Sequence, residues 1–298
     1  MRASRTSAAS RFGWVPLSLL LACGGRGAGG EGACELLGAA VPLPAVLRES
    51  SGVVASHSRP GVYWTHNDAG GAPEIYAVDA QGRLLQQVRL EGAKNEDWED
   101  IARGPCPEGE CLYLADIGDN HARRDEVVLY RVPEPREGEA VVRAERFPVR
   151  YPDRPRDAEA LFVLPDTSIY ILSKGREAPV ALFRYPGRLR AGEAVELEHL
   201  RDLTPGPLPH ADRVTAADAS PSGRWVAVRT YSTLMIFHTE ELLHSRGAPR
   251  ALTIDLAPLG EPQGEAVALG DDGLVVLTSE GGSKHSPATL LRLRCSLR

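Results

Sequence analysis

The sequence predicts an all-β chain folded as a five-bladed β-propeller, on three observations. Short β segments separated by Gly, Pro, Asp and Asn turns recur in groups of four. The first strands of these groups fall at blade-like intervals. The last group lacks a strand that the N-terminus can supply, which would close the ring and hide two sheet edges.

The groups follow one another along the chain. Residues 53–55, 62–65, 74–78 and 84–90 form the first, and residues 99–102, 111–115, 127–132 and 144–149 the second. Residues 159–163, 168–172, 180–185 and 195–200 form the third, and residues 215–217, 225–229, 234–237 and 251–256 the fourth. The fifth holds only 265–268, 274–278 and 289–293, so residues 35–43 are expected to complete it. Ser51, Glu99, Glu159, Thr215 and Glu265 occupy corresponding first-strand positions, spaced by 48, 60, 56 and 50 residues. Helix is confined to one turn near residues 240–244. A six-bladed ring is the alternative, but it needs four further strands that the sequence does not offer.

The N-terminus carries Arg2, Arg5 and Arg11 with no acidic residue, then the apolar run 14–22, too short to span a bilayer core of about 30 Å. Leu20-Leu21-Ala22-Cys23 resembles the lipobox of bacterial lipoproteins, which implies cleavage before Cys23 and lipid on that cysteine. A plain secretory peptide is the alternative. Residues 1–22 are thus read as a signal peptide, 23–33 as a lipidated, glycine-rich tether, and 34–298 as one propeller domain. The expected address is outside the cytoplasm, anchored by lipid, with the outer membrane favoured because no Asp follows Cys23. Assigning Cys23 to lipid leaves four cysteines in an oxidising compartment. Cys106 and Cys111 suit a small loop, and Cys34 with Cys295 would lock the ring closure; other pairings stay open.

The formal charge is −6, and about −9 without the three leader arginines. A nucleic-acid partner, which calls for a basic footprint, is not expected. The expected partners are the membrane, through the anchor, and an envelope protein, glycan or small molecule.

In a propeller the start of each first strand and the end of each second strand share one face. Three glutamates at matching positions, Glu99, Glu159 and Glu265, would crowd like charge near the axis, which is costly unless a cation, a proton or hydrogen bonds compensate. Lys174, Arg213 or Arg229 offers an internal answer. A hard ion, Ca2+ or Mg2+, is the other, with Asn67, Glu99, Asp119, Glu159 and Glu265 as candidate ligands. Asn and Asp also cap their own turns, so Asn67 and Asp119 have a structural alternative. His66 and His121 are candidates for proton transfer, with loop hydrogen bonding as the alternative. Trp64, Trp98 and Trp225 are expected to pack between blades. The sequence contains no HExxH segment and no G-x-S-x-G elbow.

Trp64-Thr-His-Asn-Asp-Ala-Gly70, Asp97-Trp-Glu-Asp-Ile-Ala102 and Asp116-Ile-Gly-Asp-Asn120, with Arg229-Thr-Tyr231, Gly264-Glu-Ala266 and Thr278-Ser-Glu-Gly281, resemble exported bacterial TolB-like β-propeller proteins of poorly assigned function. That family is described as six-bladed, so a five-blade count departs from it. The acidic channel is also distantly similar to lactonase and phytase-like propellers, which implies calcium-organised hydrolysis of an ester, lactone or phosphoester. The competing expectation is an envelope-attached binding or assembly module with an ion at its channel. The sequence leaves open whether the protein is an enzyme.

Overall fold

The computed structural model describes residues 34–282 and 286–297. The expected signal peptide, Cys23 and the tether lie outside the described residues. The chain enters through two short strands, β1 (Cys34–Leu36) and β2 (Val41–Pro42), followed by β3 (Ser50–Ala55), β4 (Val62–Asn67), β5 (Glu74–Asp79) and β6 (Leu84–Glu91). Then come β7 (Trp98–Cys106), β8 (Gly109–Asp116), β9 (Val127–Pro133), β10 (Val141–Arg143) and β11 (Glu145–Arg150). The third set is β12 (Ala158–Val163), β13 (Ile169–Ser173), β14 (Ala181–Arg184), β15 (Val195–Glu196) and β16 (Glu198–Asp202). The fourth is β17 (Val214–Ala219), β18 (Trp225–Thr230), β19 (Thr233–His238), the one-turn helix α1 (Thr239–His244) and β20 (Ala251–Asp255). The last is β21 (Gln263–Leu269), β22 (Leu274–Glu280) and β23 (Thr289–Cys295).

These strands pair into five sheets, which are the five blades, with β3, β7, β12, β17 and β21 innermost. The six blades of the resembled family are therefore not present. Both β1 and β2 add antiparallel to β23, with Cys34 opposite Cys295 and Val41 opposite Leu290. The N-terminal segment thus completes the last blade, as the sequence predicts, and a Cys34–Cys295 disulfide fastens it. A second disulfide, Cys106–Cys111, spans the β7–β8 hairpin.

Two strands depart from the predicted grouping. The stretch 195–200 divides: β15 lies parallel on β11 of blade 2, while β16 serves blade 3. Likewise β10 lies parallel on β6 of blade 1 before the chain turns into β11. Each covers the outer edge of the preceding blade, where bare N–H and C=O groups would otherwise face solvent.

The apolar residues bury themselves between blades, giving five cores around the ring. Trp64, Ile75 and Val88 of blade 1 meet Trp98 and Tyr130 of blade 2. Phe147 of blade 2 meets Leu161 and Phe183 of blade 3, and Phe162 of blade 3 meets Val226 and Phe237 of blade 4. Trp225 and Ile236 meet Val267 and Leu291, and the ring closes where Val276 and Leu290 of blade 5 meet Tyr63 and Tyr76 of blade 1. Each large side chain buried this way contributes about 1.5–3 kcal/mol. Trp64, Trp98 and Trp225 therefore pack between blades, as the sequence predicts.

Candidate functional site

The ladder between first and second strands breaks register at the same place in all five blades: between Ser50 and Val53, Trp98 and Asp100, Ala158 and Ala160, Val214 and Ala216, and Gly264 and Ala266. The residues skipped include Ser51, Glu99, Glu159, Thr215 and Glu265. A β-bulge re-aims its extra side chain out of the sheet's alternation. The five positions that recur in the sequence are therefore a ring of bulges. Two of them are fasteners: Ser51 Oγ donates to the Glu99 carbonyl and Thr215 Oγ1 to the Glu265 carbonyl, each at 2.8 Å and each across to the next blade. The three glutamates, all buried, supply charge.

Around Glu99 an oxygen cluster forms. One carboxylate oxygen each of Asp68, at the exit of β4, Asp97, just before β7, and Glu99 lie within 4.8 Å of one another. The turn after β8 shapes the seat. Arg124 donates to Asp116 Oδ1 at 2.9 Å and to the Gly118 carbonyl at 2.8 Å, while its amide donates to Asp119 Oδ2 at 2.6 Å. Asp116 in turn accepts the Asp97 amide at 3.1 Å. This packing brings Gly118 so close that a Cβ there would lie 2.1 Å from Glu99 Oε1 and 2.6 Å from Asp97 Oδ2. Glu99 is only 5 % exposed, and its carboxyl meets that of Glu159 in a side-chain hydrogen bond. Asp68 Oδ1 is buried without a donor among the described residues.

Glu159 is in direct contact with Lys174 Nζ at the buried end of β13. Glu265 accepts Gln263 Nε2 at 2.7 Å, and the same amide reaches Glu280 at 3.1 Å. Burial first, and the Glu159 charge second, hold Glu99 and Glu265 well above the usual carboxylate range. Burial also raises Glu159, against the pull of Lys174. Burial and the nearby Asp68 charge lift Asp97 to about 6 and Glu280 to about 7. Lys174 works against burial and is held above its ordinary value by Glu159 and Glu99. Burial and Glu265 raise the Tyr231 phenol that faces the same group. Asp68, Asp97, Glu99, Glu159, Glu265 and Glu280 thus outnumber Lys174 and Arg124, the cations that act on them, and oxygen donors of this kind suit a hard divalent ion.

The structure brings together Glu99, Glu159 and Glu265 of the expected ligands and joins Asp68 and Asp97 to them. It assigns Asn67 elsewhere: its Oδ1 accepts the Glu49 amide at 3.1 Å and its Nδ2 donates to the Val46 carbonyl at 2.8 Å, which is the structural alternative for that residue. Asp119 is engaged by Arg124 and lies in a neighbouring recess with Asp157. His66 is fully buried edge-on to Trp98 at 5.6 Å, beside Gly52, where a Cβ would lie 2.5 Å from its Nε2. Burial lowers it to about 4, so it is neutral at pH 7. His121 lies exposed in the turn after Asn120. Of the internal cations, Lys174 alone joins the cluster, since Arg229 pairs with Glu261 at 2.5 Å and Arg213 Nε leans on the Leu208 carbonyl at 3.4 Å.

No protein-family model matches the chain, and no curated protein matches it. Among solved structures, the PQQ-bound aldose sugar dehydrogenase of Streptomyces coelicolor superposes with a TM-score of 0.54 at 11% identity, over 89% of this chain and 99% of that one. A luciferin-regenerating enzyme gives 0.48 at 11% identity, over 88% and 95%. A catalytically inactive virginiamycin B lyase from Staphylococcus aureus, with quinupristin, gives 0.42 at 9% identity, over 89% and 99%. Identity this low carries the fold and no activity. The chain is a five-bladed β-propeller with an acidic cluster built around the buried Glu99.

Proposed function

We propose that the protein is a divalent-cation-dependent hydrolase of an ester, lactone or phosphoester bond, working at the channel mouth. One observation carries this reading: the Asp68, Asp97 and Glu99 oxygens converge within 4.8 Å, and Asp68 Oδ1 is buried there with no hydrogen-bond partner among the described residues. Ca2+ or Mg2+ suits that donor set, and when bound supplies a Lewis acid for a carbonyl or phosphoryl oxygen.

The chain's own residues supply the rest. Glu159, raised by burial, is the group placed to give or take a proton, and its contact with Lys174 fixes its carboxyl. The Tyr231 phenol lies within reach of the Glu265, Glu159 and Glu99 charges, and the Gln263 amide fixes Glu265. Because His66 is interior and His121 peripheral, proton transfer rests on the carboxyl rather than on imidazole.

We also place the protein outside the cytoplasm on a lipid anchor at Cys23, in an envelope where it meets a small molecule, glycan or protein. The two disulfides and the motif resemblance to exported TolB-like propellers support that address.

The test is calorimetric titration of Ca2+ and Mg2+ into chelator-treated protein, with a panel of chromogenic esters, lactones and phosphoesters. One ion per chain is expected, lost in Glu99→Gln, with turnover that needs the ion. Glu159→Gln is expected to bind the ion normally and to lose turnover at least a hundredfold. Full turnover in metal-free protein would sink the reading. Ion binding with no turnover across the panel supports a binding or assembly module instead.

A further inference from the structure

Blades 3 and 4 do not close on one another along their whole length. Beside the core that joins them, a slot of about 230 Å³ stays open. Its floor is the blade 4 sheet, where Val214 lies opposite Thr230, Val228 opposite Met235, Met235 opposite Thr253, and Phe237 opposite Ala251. Residues paired in this way share one face of a sheet. The floor therefore crosses all four strands, three strand spacings or about 14 Å. The other wall is Val180 with Leu203 and Leu208, from the segment that leaves blade 3. That segment carries Pro205, Pro207 and Pro209, which lack the N–H groups a further strand would need to fill the gap.

The lining offers a ligand little polarity. Thr204 Oγ1 donates to the Gly206 carbonyl and accepts the Val180 amide, both at 2.9 Å. Thr230 Oγ1 donates to the Thr233 carbonyl at 3.3 Å and accepts its amide at 2.9 Å. Both hydroxyls are thus turned to backbone. Asp212 is the one charged residue of the lining among the described residues, and it lies exposed at the rim. Protein interiors leave few voids larger than a water molecule, and an apolar cavity of about 150 Å³ stays dry and binds benzene. The slot exceeds that volume and is drawn out across the sheet, so it suits a chain better than a ring. Its inner end adjoins the acid cluster. The Val214 amide donates to the Lys174 carbonyl at 3.1 Å and the Leu208 amide to the Gly175 carbonyl at 2.8 Å, while Thr230 precedes Tyr231.

We propose that this slot binds an extended aliphatic chain, and that the chain is the acyl part of the substrate, an ester that water divides into a carboxylic acid and an alcohol. The driving force is removal of the chain from water, where each buried methylene strengthens binding about fourfold. The substrate statement rests on the hydrolase reading. The chain affinity does not.

The experiment titrates hexyl glucoside, octyl glucoside and glucose, the first two below micelle formation, into wild-type protein and the variants T253W and A251L. Thr253 is exposed and tryptophan suits a strand, so T253W is expected to fold while blocking the outer end. A251L fills the floor by another route, and thermal melts check both. The wild type is expected to bind octyl glucoside at least fivefold more tightly than hexyl glucoside and not to bind glucose. Each folded variant is expected to bind octyl glucoside at least tenfold more weakly. Absence of octyl glucoside binding, equal binding of the two chain lengths, or equal binding by wild type and variants overturns the slot. Turnover of p-nitrophenyl acetate and octanoate with Mg2+ tests the substrate statement, with octanoate expected to be preferred by the wild type and not by T253W. Chain binding without turnover of any ester keeps the slot and removes the hydrolase. Ester turnover without chain binding does the reverse, and equal turnover of both esters beside chain binding takes the slot out of substrate recognition.

Discussion

Gly118 and Glu99 are in a contact that admits no side chain on the glycine: a Cβ would fall 2.1 Å from Glu99 Oε1. Gly118 has an ordinary backbone conformation, so alanine there is compatible with the turn itself and would act by moving carboxylates. Gly118→Ala is expected to displace Glu99 and Asp97 and to weaken ion binding at least tenfold, about 1.4 kcal/mol. Calorimetric titration of Ca2+, with thermal melts of the ion-free protein to show an intact fold, measures this. Wild-type affinity in the variant would mean that Glu99 is not a ligand.

Asp218 provides a pH test away from that cluster. Its Oδ2 accepts the Leu269 amide of blade 5 at 2.8 Å, and burial lifts its carboxyl to about 7. A carboxyl with a folded pKa above its unfolded value of about 3.9 favours the fold while protonated. Its contribution is complete below about pH 4 and is lost as pH rises through 7. Asp218→Asn keeps a carbonyl acceptor and removes the titration. The stability of the variant relative to the wild type is expected to rise by roughly 2–3 kcal/mol between pH 5 and pH 8. Urea unfolding at the two pH values checks this, and a pH-independent difference would contradict the assignment.

The two disulfides are expected to contribute unequally. Cys34–Cys295 closes a separation of 261 residues and Cys106–Cys111 one of 5. Loop-closure entropy gives about 5 kcal/mol for the first and about 2 kcal/mol for the second, both as upper figures. The double serine variant at Cys34 and Cys295 should therefore lower the urea midpoint clearly more than the pair at Cys106 and Cys111. Limited proteolysis should then begin in the N-terminal segment, because β1 and β2 pair with β23 alone. Equal midpoints for the two variants would show that the strand pairing, not the bridge, closes the ring.

The features legible in the sequence are those that repeat. Glu99, Glu159 and Glu265 stand out because each is the bulged residue of its blade, and a bulge recurs at the blade period whatever its side chain. Closure is legible because a three-strand last group and an N-terminal cysteine point to the same junction. Asn67 and Asp68 show the limit of that reading: they are chain neighbours with similar chemistry, and only the loop that engages Asn67 decides that Asp68 is the one to enter the cluster. His66 is a second case, since composition cannot tell a buried ring beside Trp98 from one at the channel mouth. Edge strands β10 and β15 are not legible in the sequence, because two or three residues pairing with a preceding blade leave no periodic trace.

Asp100 is the residue that no local pattern reveals, since its partners lie 61 and 117 residues away. From blade 2 its Oδ2 accepts the Leu161 amide of blade 3 at 2.9 Å and the Ala217 amide of blade 4 at 3.0 Å, and the whole residue is buried. The inner strands of a propeller have no neighbour on their channel side, so their inward N–H groups need acceptors from elsewhere. Asp100 is that acceptor for two blades at once. Burial pushes its carboxyl well above the usual range, while the three amides it accepts, including that of Ile101, pull the other way. Asp100→Ala would leave both cross-channel amides unpartnered, at about 1–3 kcal/mol each. Unfolding is expected to show a loss of about 3–5 kcal/mol on that basis, with faster hydrogen exchange at Leu161 and Ala217. Asp100→Asn retains a carbonyl and should lose less than half as much. If the alanine variant matches the wild type in stability and in exchange at those two amides, Asp100 does not tie the blades together, and the inter-blade cores hold the channel with the Ser51, Thr215 and Asp218 bonds.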